Sequence, residues 1–315
     1  KFLDAINYAT LTNEKYRNLA DGRPFNPRYT DAQIQLILTG SSPFTFANSN
    51  WAEASLKNAV LQNHFVALSG GKGDSRYRVS LGYLTQDAIV RGDYQTERYN
   101  FRVNLNSQAK KWLAIGNNFN SSYQKIDAPT GGLGSVGNII NGFARNAPTI
   151  PIYNSSGGAG FTDGAIGNAN ASFPLEFNFV RSGVVGEFRS NDFDFSNRSF
   201  FRASFLKNMS FESSITLSAD FTDVSDFRPV NVDQDDLVIS TQVNNLENRT
   251  VFNYRILNEN LLRYNPKYKK NTFNFLLGYS TVYSRNDGFS GSLSNFPSNA
   301  IQEFDGGGTL NPTVS

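Results

Sequence analysis

The 315-residue chain contains a single histidine, His64, and no cysteine. It therefore has no thiolate for zinc, no disulfide framework and no cysteine nucleophile. One histidine cannot build a His-rich metal centre and offers one candidate imidazole base. No acid lies within sequence reach to orient it, so His64 reads as structural. Gly132-Leu-Gly-Ser-Val-Gly137 matches G-x-G-x-x-G, but a dinucleotide site needs that run directly between a strand and a helix of a βαβ unit. Asp127-Ala-Pro-Thr130 intervenes, and the run reads as the base of a loop before a short helix at 137–146. Asp233-Gln-Asp-Asp236, with Asp223 and Asp226 nearby, offers oxygen ligands to calcium. It lacks the glycine and terminal glutamate of an EF-hand loop and reads as a solvated acidic loop. No spacing suggests Ser-His-Asp chemistry or a purposeful carboxylate pair. The expectation is a chain with no catalytic residue, no metal and no cofactor: not an enzyme.

The residues of interest are instead those that alternate. Tyr77, Val79, Leu81 and Tyr83 interleave with Arg76, Arg78, Ser80 and Gly82; Tyr99, Phe101, Val103 and Leu105 interleave with Asn100, Arg102, Asn104 and Asn106. Phe211, Ile215, Leu217, Ala219 and Phe221 oppose Glu212, Ser214, Thr216, Ser218 and Asp220, with Ser213 the one break. Phe273, Phe275, Leu277 and Tyr279 oppose Thr272, Asn274, Gly278 and Ser280, with Leu276 the exception. A period of two marks a strand with one apolar and one polar face. Eight strands are expected, at 60–69, 75–86, 97–106, 112–123, 197–206, 210–222, 249–264 and 271–284. The connections alternate between short turns and long loops at 87–96, 124–196, 223–248 and 285–315.

That asymmetry describes an all-β, antiparallel up-and-down sheet, and membrane barrels carry it as short turns on one side and long loops on the other. Strand length argues for a membrane barrel over a soluble sandwich, whose strands cluster at about 5–6 residues. Tyr254 and Tyr264 lie ten residues apart on one face. At ~3.3 Å per residue and ~45° tilt that is roughly 23 Å, close to the ~25 Å lipid-facing band between aromatic girdles. The expected lipid-facing residues are Tyr77, Leu81, Tyr83, Tyr99, Phe101, Phe221, Tyr254, Tyr264, Phe275 and Tyr279. The expected lumen-facing residues are Arg78, Arg102, Asn104, Glu212, Asp220, Asn253 and Arg255, because charge on the lipid face is costly. No run approaches the ~18–20 apolar residues of a membrane helix. The net charge of +2 gives no footprint for nucleic acid.

Residues 1–59 differ, with a weak helical pattern over 1–20 that places Phe2, Ile6, Ala9 and Asn13 on one face. Thr30 and Gly40 bracket a second short helix over 31–38 as N-cap and terminal glycine.

Several segments carry a family resemblance. They are Phe2-Leu-Asp-Ala-Ile-Asn-Tyr-Ala-Thr-Leu-Thr-Asn-Glu14, Tyr29-Thr-Asp-Ala-Gln-Ile34, Gln62-Asn-His-Phe-Val-Ala-Leu-Ser-Gly-Gly71, Arg76-Tyr-Arg-Val-Ser-Leu-Gly-Tyr-Leu-Thr-Gln86, Glu97-Arg-Tyr-Asn-Phe-Arg-Val-Asn-Leu105 and Ala147-Pro-Thr-Ile-Pro-Ile-Tyr-Asn154. In order and spacing they resemble the SusC/RagA-like TonB-dependent outer-membrane transporters of Bacteroidetes, most specifically from His64 to Leu105. Asn271-Thr-Phe-Asn274 departs from the family, which usually has a histidine before that strand. The resemblance implies a 22-stranded, plugged barrel. Eight strands account for only part of one, so a barrel fragment is expected, with 1–59 at its outer side, 60–315 as wall and loops, and the plug and N-terminal domains absent. The abrupt ends, Lys1 and Ser315, fit a processed or truncated chain. The resemblance further implies import of oligosaccharides or peptides across the outer membrane of a Gram-negative bacterium, a SusD-like surface lipoprotein as partner, and the TonB complex acting through the plug. Two readings compete: a self-standing small outer-membrane barrel, closed between its first and last strands, and a soluble glycan-binding β-sandwich with Tyr77, Phe101, Phe221 and Phe275 buried between two sheets.

Overall fold

The computed structural model describes residues 2–130, 136–153, 155, 180, 186–229, 243–306 and 313–314. Three helices come first: α1 (Ala5–Leu19), α2 (Asp31–Thr39) and α3 (Trp51–Ser55). Strands β1 (Leu61–Lys72), β2 (Ser75–Asp87), β3 (Gln95–Lys110) and β4 (Leu113–Ala128) follow, then α4 (Val136–Arg145). The remaining strands are β5 (Glu187–Leu206), β6 (Met209–Arg228), β7 (Asn245–Tyr264), β8 (Lys267–Tyr268), β9 (Asn271–Thr272), β10 (Phe275–Ser294) and β11 (Thr313–Val314).

The long strands form one antiparallel sheet in the order β1-β2-β3-β4-β5-β6-β7-β10-β11. All eight expected long strands are present, and each extends past its expected bounds at one end or both. β5 starts ten residues before 197, and β10 runs ten residues past 284. The added segments are mostly polar, with Phe188, Phe193 and Phe195 in β5 and Phe289 and Leu293 in β10, and their ladders hold them: Glu187 pairs with Phe227, and Ser294 with Asn245. A 20-residue strand is about 66 Å long. Tilted by ~45° it rises about 47 Å, well beyond a ~25 Å apolar band. β10 begins at Phe275 rather than 271, because Lys269 turns at φ 53° and Asn271–Thr272 folds back on Lys267–Tyr268 as a separate hairpin. Between β1 and β2 the chain reverses in two residues, Gly73-Asp74, with Gly73 at φ 60°. A glycine first in a two-residue loop suits a right-twisted hairpin.

The short helices follow their caps. Asp4 accepts from the Asn7 N–H at 2.8 Å. Thr30 and Gln33 form a reciprocal capping box, and Gly40 closes α2 at φ 63°, as the sequence suggests. In α1 the buried residues are Ala5 and Ala9. Phe2 is not part of that face: Asp4 starts the helix after it, and its ring lies edge-on to Phe143 at 5.7 Å.

The buried hydrophobic residues lie in the helices and loops or at the loop ends of strands. One cluster joins Ala5, Ala9, Tyr29, Ile37 and Phe46; another joins Trp51, Ala147, Ile150 and Ile152; a third joins Val90, Tyr94 and Ile139. A fourth, Phe227, Leu246, Leu293 and Phe296, closes the loop ends of β6, β7 and β10. Tyr29 ties the first two clusters together through a 2.8 Å hydroxyl contact with Thr149, both residues being fully buried. Burial raises the pKa of the Tyr29 hydroxyl, so it stays neutral in this contact. Tyr29→Phe is expected to cost about 1 kcal/mol by orphaning the Thr149 hydroxyl. Faster proteolysis within residues 20–60 of the folded protein, with the strands unaffected, is the measurement that checks it.

The centre of the sheet has no such core. Among the described residues no second sheet covers it, and Tyr77, Phe101, Phe221 and Phe275 are 42, 40, 40 and 58% exposed. A soluble domain buries one face of its sheet against another layer, so the β-sandwich reading fails. The self-standing eight-stranded barrel fails too. It requires closure, whereas the sheet is open and the outer edge of β1 has no strand partner among the described residues.

Candidate functional site: a polar wall and its aromatic reverse

Residues facing each other across antiparallel strands share a face, so the registers decide which side chains meet. Arg102 stands opposite Ser80 and Asn120, Asn120 opposite Ser196, Ser196 opposite Ser218, and Ser218 opposite Arg255. Arg78 pairs with Asn104, and Asp220 with Asn253. Glu212, Ser218 and Asp220 alternate along β6. Arg78, Arg102, Asn104, Glu212, Asp220, Asn253 and Arg255 thus share one face of the sheet.

Two side-chain networks organise this wall. Glu212 is 5% exposed and is held by three arginines from two neighbouring strands. Arg198 reaches Oε1 at 3.1 Å, while Arg202 and Arg263 reach Oε2 at 2.5 and 3.3 Å. Arg198 also lies over the Phe200 ring, 5.0 Å from its centroid. Phe200 fills the space above Gly116, where a Cβ would come 2.3 Å from the ring. The second network joins Asp220, Asn253 and Asn286. Asn253 donates to Asp220 at 2.6 Å and accepts from Asn286. Three guanidiniums on one carboxylate was not evident from the sequence, although Arg198 and Arg202 carried a signal: four apart, they share the polar phase of β5.

The reverse face carries the aromatic residues. Tyr83 faces Tyr99, Tyr99 faces Tyr123, Tyr123 faces Phe193, Phe193 faces Phe221 and Phe221 faces Phe252, one row across six strands. Ring centroids are 4.9 Å apart for Tyr83–Tyr99 and 6.4 Å for Tyr99–Tyr123. Leu81 pairs with Phe101, Tyr264 with Phe275, Tyr77 with Leu105, Tyr254 with Ala219 and Tyr279 with Asn260, all on this same face. Tyr123, Phe193 and Phe252 complete the row but were not expected from sequence. Phe211 lies on β6 ten residues from Phe221, which at ~3.3 Å per residue and ~45° tilt is roughly 23 Å of height. The face is not wholly apolar: Asn117 donates to Asn197 at 2.8 Å, and Asn260 to Asn258 at 2.6 Å, so these amides satisfy one another.

His64 stacks on Tyr83 at 6.3 Å, with Gln62 3.4 Å from its Nε2. Gly132 of the glycine run and the acidic run 233–236 lie outside the described residues. Asp223 accepts from Thr250 at 2.8 Å and Asp226 from Arg228 at 3.0 Å. Among the described residues no group of three His, Cys, Asp or Glu could hold a metal ion.

No family model matches the chain. It is similar to TonB-dependent receptor P3 of Formosa agariphila, at 26% identity over 99% of this chain and 28% of that protein. TonB-dependent receptor P26 of the same organism is 29% identical over 73% of this chain and 22% of its own length. TonB-dependent receptor SusC of Bacteroides thetaiotaomicron is 29% identical over 40% of this chain. The chain thus spans about a quarter of the length of the first two relatives. Among solved structures, the RagAB peptide importer in its closed-closed state matches with a TM-score of 0.67 at 16% identity, covering 96% of this chain and 36% of that one. The open nine-stranded sheet is thereby accounted for as a stretch of a larger barrel, and the chain is SusC/RagA-like: it fits that family of TonB-dependent receptors over part of their length.

Proposed function

We propose that the chain supplies barrel wall and outer loops of a TonB-dependent importer in the outer membrane of a Gram-negative bacterium. In this reading the aromatic face meets lipid and the polar wall faces the lumen. The row from Tyr83 to Phe252, with Phe211 roughly 23 Å below it, supports that orientation, because membrane barrels carry aromatic girdles about 25 Å apart. Residues 1–59 and the long loops form the outer side. The observation that carries the reading is the open sheet of long strands with no core of its own, joined to the similarity with TonB-dependent receptors. The solute is an oligosaccharide or peptide, captured with a SusD-like lipoprotein. The TonB complex acts through a plug carried elsewhere in the protein. This segment binds and guides; it breaks no bond.

The experiment is deletion of the gene in its native host, with outer-membrane fractionation of the wild type. The protein is expected in the outer-membrane fraction, co-purifying with a lipoprotein, and the mutant is expected to lose growth on one oligosaccharide or peptide source. A soluble protein, or a mutant that grows on every such source, would refute the reading.

A further inference from the structure

On the polar wall between β1 and β4 lies a recess of about 410 Å³, lined by Asn63, Phe65, Arg78, Arg98, Arg102 and Asn120, among others. Its base is Gly82, where an added Cβ would meet nothing closer than 3.6 Å. The absent side chain there leaves the recess open. Arg98 donates from Nε to Asn100 Oδ1 at 3.2 Å, and Arg102 donates from Nε and Nη2 to Asn120 Oδ1 at 3.4 Å. These amides orient two of the guanidiniums without neutralising them. No carboxylate among the described residues lies within ion-pair distance of Arg78, Arg98 or Arg102, and none lines the recess. The contrast with Arg198, Arg202 and Arg263 is direct, since those three share Glu212.

We infer that this recess binds carboxylate groups of the transported solute. A guanidinium presents five N–H donors in a planar fork that matches a carboxylate. Rings of arginine favour anions in membrane pores. The neighbouring Asn63, Asn100, Asn104 and Asn120 add amides that hydrogen-bond hydroxyls or peptide groups beside the charge. Phe65, 61% exposed, offers an apolar platform at the edge. The carboxylate can come from a uronic acid or an acidic side chain; the recess recognises the chemistry the two share. The inference rests on the transport reading and on the polar wall facing the lumen.

The test uses the full-length protein in detergent, titrated calorimetrically with tetragalacturonate, its methyl ester, the peptide Asp-Ala-Asp-Ala and its Asn-Ala-Asn-Ala amide. One of the two acidic probes is expected to bind at least about tenfold tighter than its neutral counterpart, and which one does so identifies the source of the carboxylate. That preference is expected to weaken as salt rises. R98Q/R102Q is expected to abolish the preference, R102K to retain part of it, and Gly82→Leu to block binding with every charge in place. Equal affinity for acidic and neutral probes, or no binding of any, overturns the inference. So does a double variant that keeps the preference but melts at lower temperature, because the arginines would then hold another part of the protein. If the protein is found in the outer membrane and its deletion abolishes growth on a neutral solute, this inference fails while the transport reading stands.

Discussion

Replacing Glu212 with alanine is expected to destabilise the folded barrel by about 2–3 kcal/mol, one of the two largest effects predicted for this wall. Glu212 is 5% exposed and accepts from Arg198, Arg202 and Arg263. Removing one member of a buried ion pair costs about 3–5 kcal/mol, because the charge left behind is uncompensated. The arginine side chains are 32, 49 and 35% exposed, so water and counter-ions screen part of their repulsion and bring the cost below that range, to about 2–3 kcal/mol. Glu212→Gln keeps the size and one acceptor, and is expected to fall between wild type and alanine. Arg202→Ala is expected to cost under about 1 kcal/mol, since two arginines still neutralise the carboxylate and Arg202 is half exposed. Urea titration of the barrel in vesicles, read by its migration without boiling, measures all three. Added sulfate should recover part of the loss in the alanine variant, by occupying the place of the carboxylate. A Glu212→Ala barrel as stable as wild type, indifferent to sulfate, would mean the cluster is solvated and adds nothing.

The same cluster marks where sequence reading stops. Alternation placed Glu212 on the polar phase because a strand's faces follow parity within a few residues. The partners come from β5 and β7, and register between strands is set by turn geometry and by the matching of apolar faces across the sheet, which the pattern within one strand does not show. The aromatic row behaves alike: Tyr83, Tyr99 and Phe221 could be assigned to a face from sequence, but Tyr123, Phe193 and Phe252 join them only through the ladder. Strand ends escape the sequence pattern where polar residues outnumber the apolar ones, as Phe193 and Phe195 are outnumbered in the first half of β5. Asn191, Asp192 and Asp194 read as loop, yet they continue β5 because β4 and β6 flank them. In α2 the local signals are sufficient, since Thr30 and Gln33 act within its first turn and Gly40 at its end. The Tyr29–Thr149 contact spans 120 residues and left no mark in either segment.

Arginine at position 217 and arginine at position 218 should have opposite fates, although the two sites are adjacent. Leu217 lies on the aromatic face, six residues from Phe211 and four from Phe221, and so near the middle of the proposed lipid band. An arginine on the lipid face at the bilayer midplane costs about 2–4 kcal/mol. Leu217→Arg is therefore expected to lower stability by that amount and to leave much of the protein unassembled in the outer membrane. Ser218 stands opposite Ser196 and Arg255 on the polar wall. Ser218→Arg enters a hydrated face and is expected to cost under about 1 kcal/mol, chiefly by repulsion from Arg255. Outer-membrane levels and urea midpoints of the two variants measure the difference. The comparison is internal: both carry the same new charge on the same strand at nearly the same depth, so only the face differs. Equal damage would mean that neither face meets lipid, and greater damage at 218 would invert the assignment of wall and reverse. The inverted result would also withdraw the recess between β1 and β4 as a solute site, because Arg78, Arg98 and Arg102 share the face of Ser218.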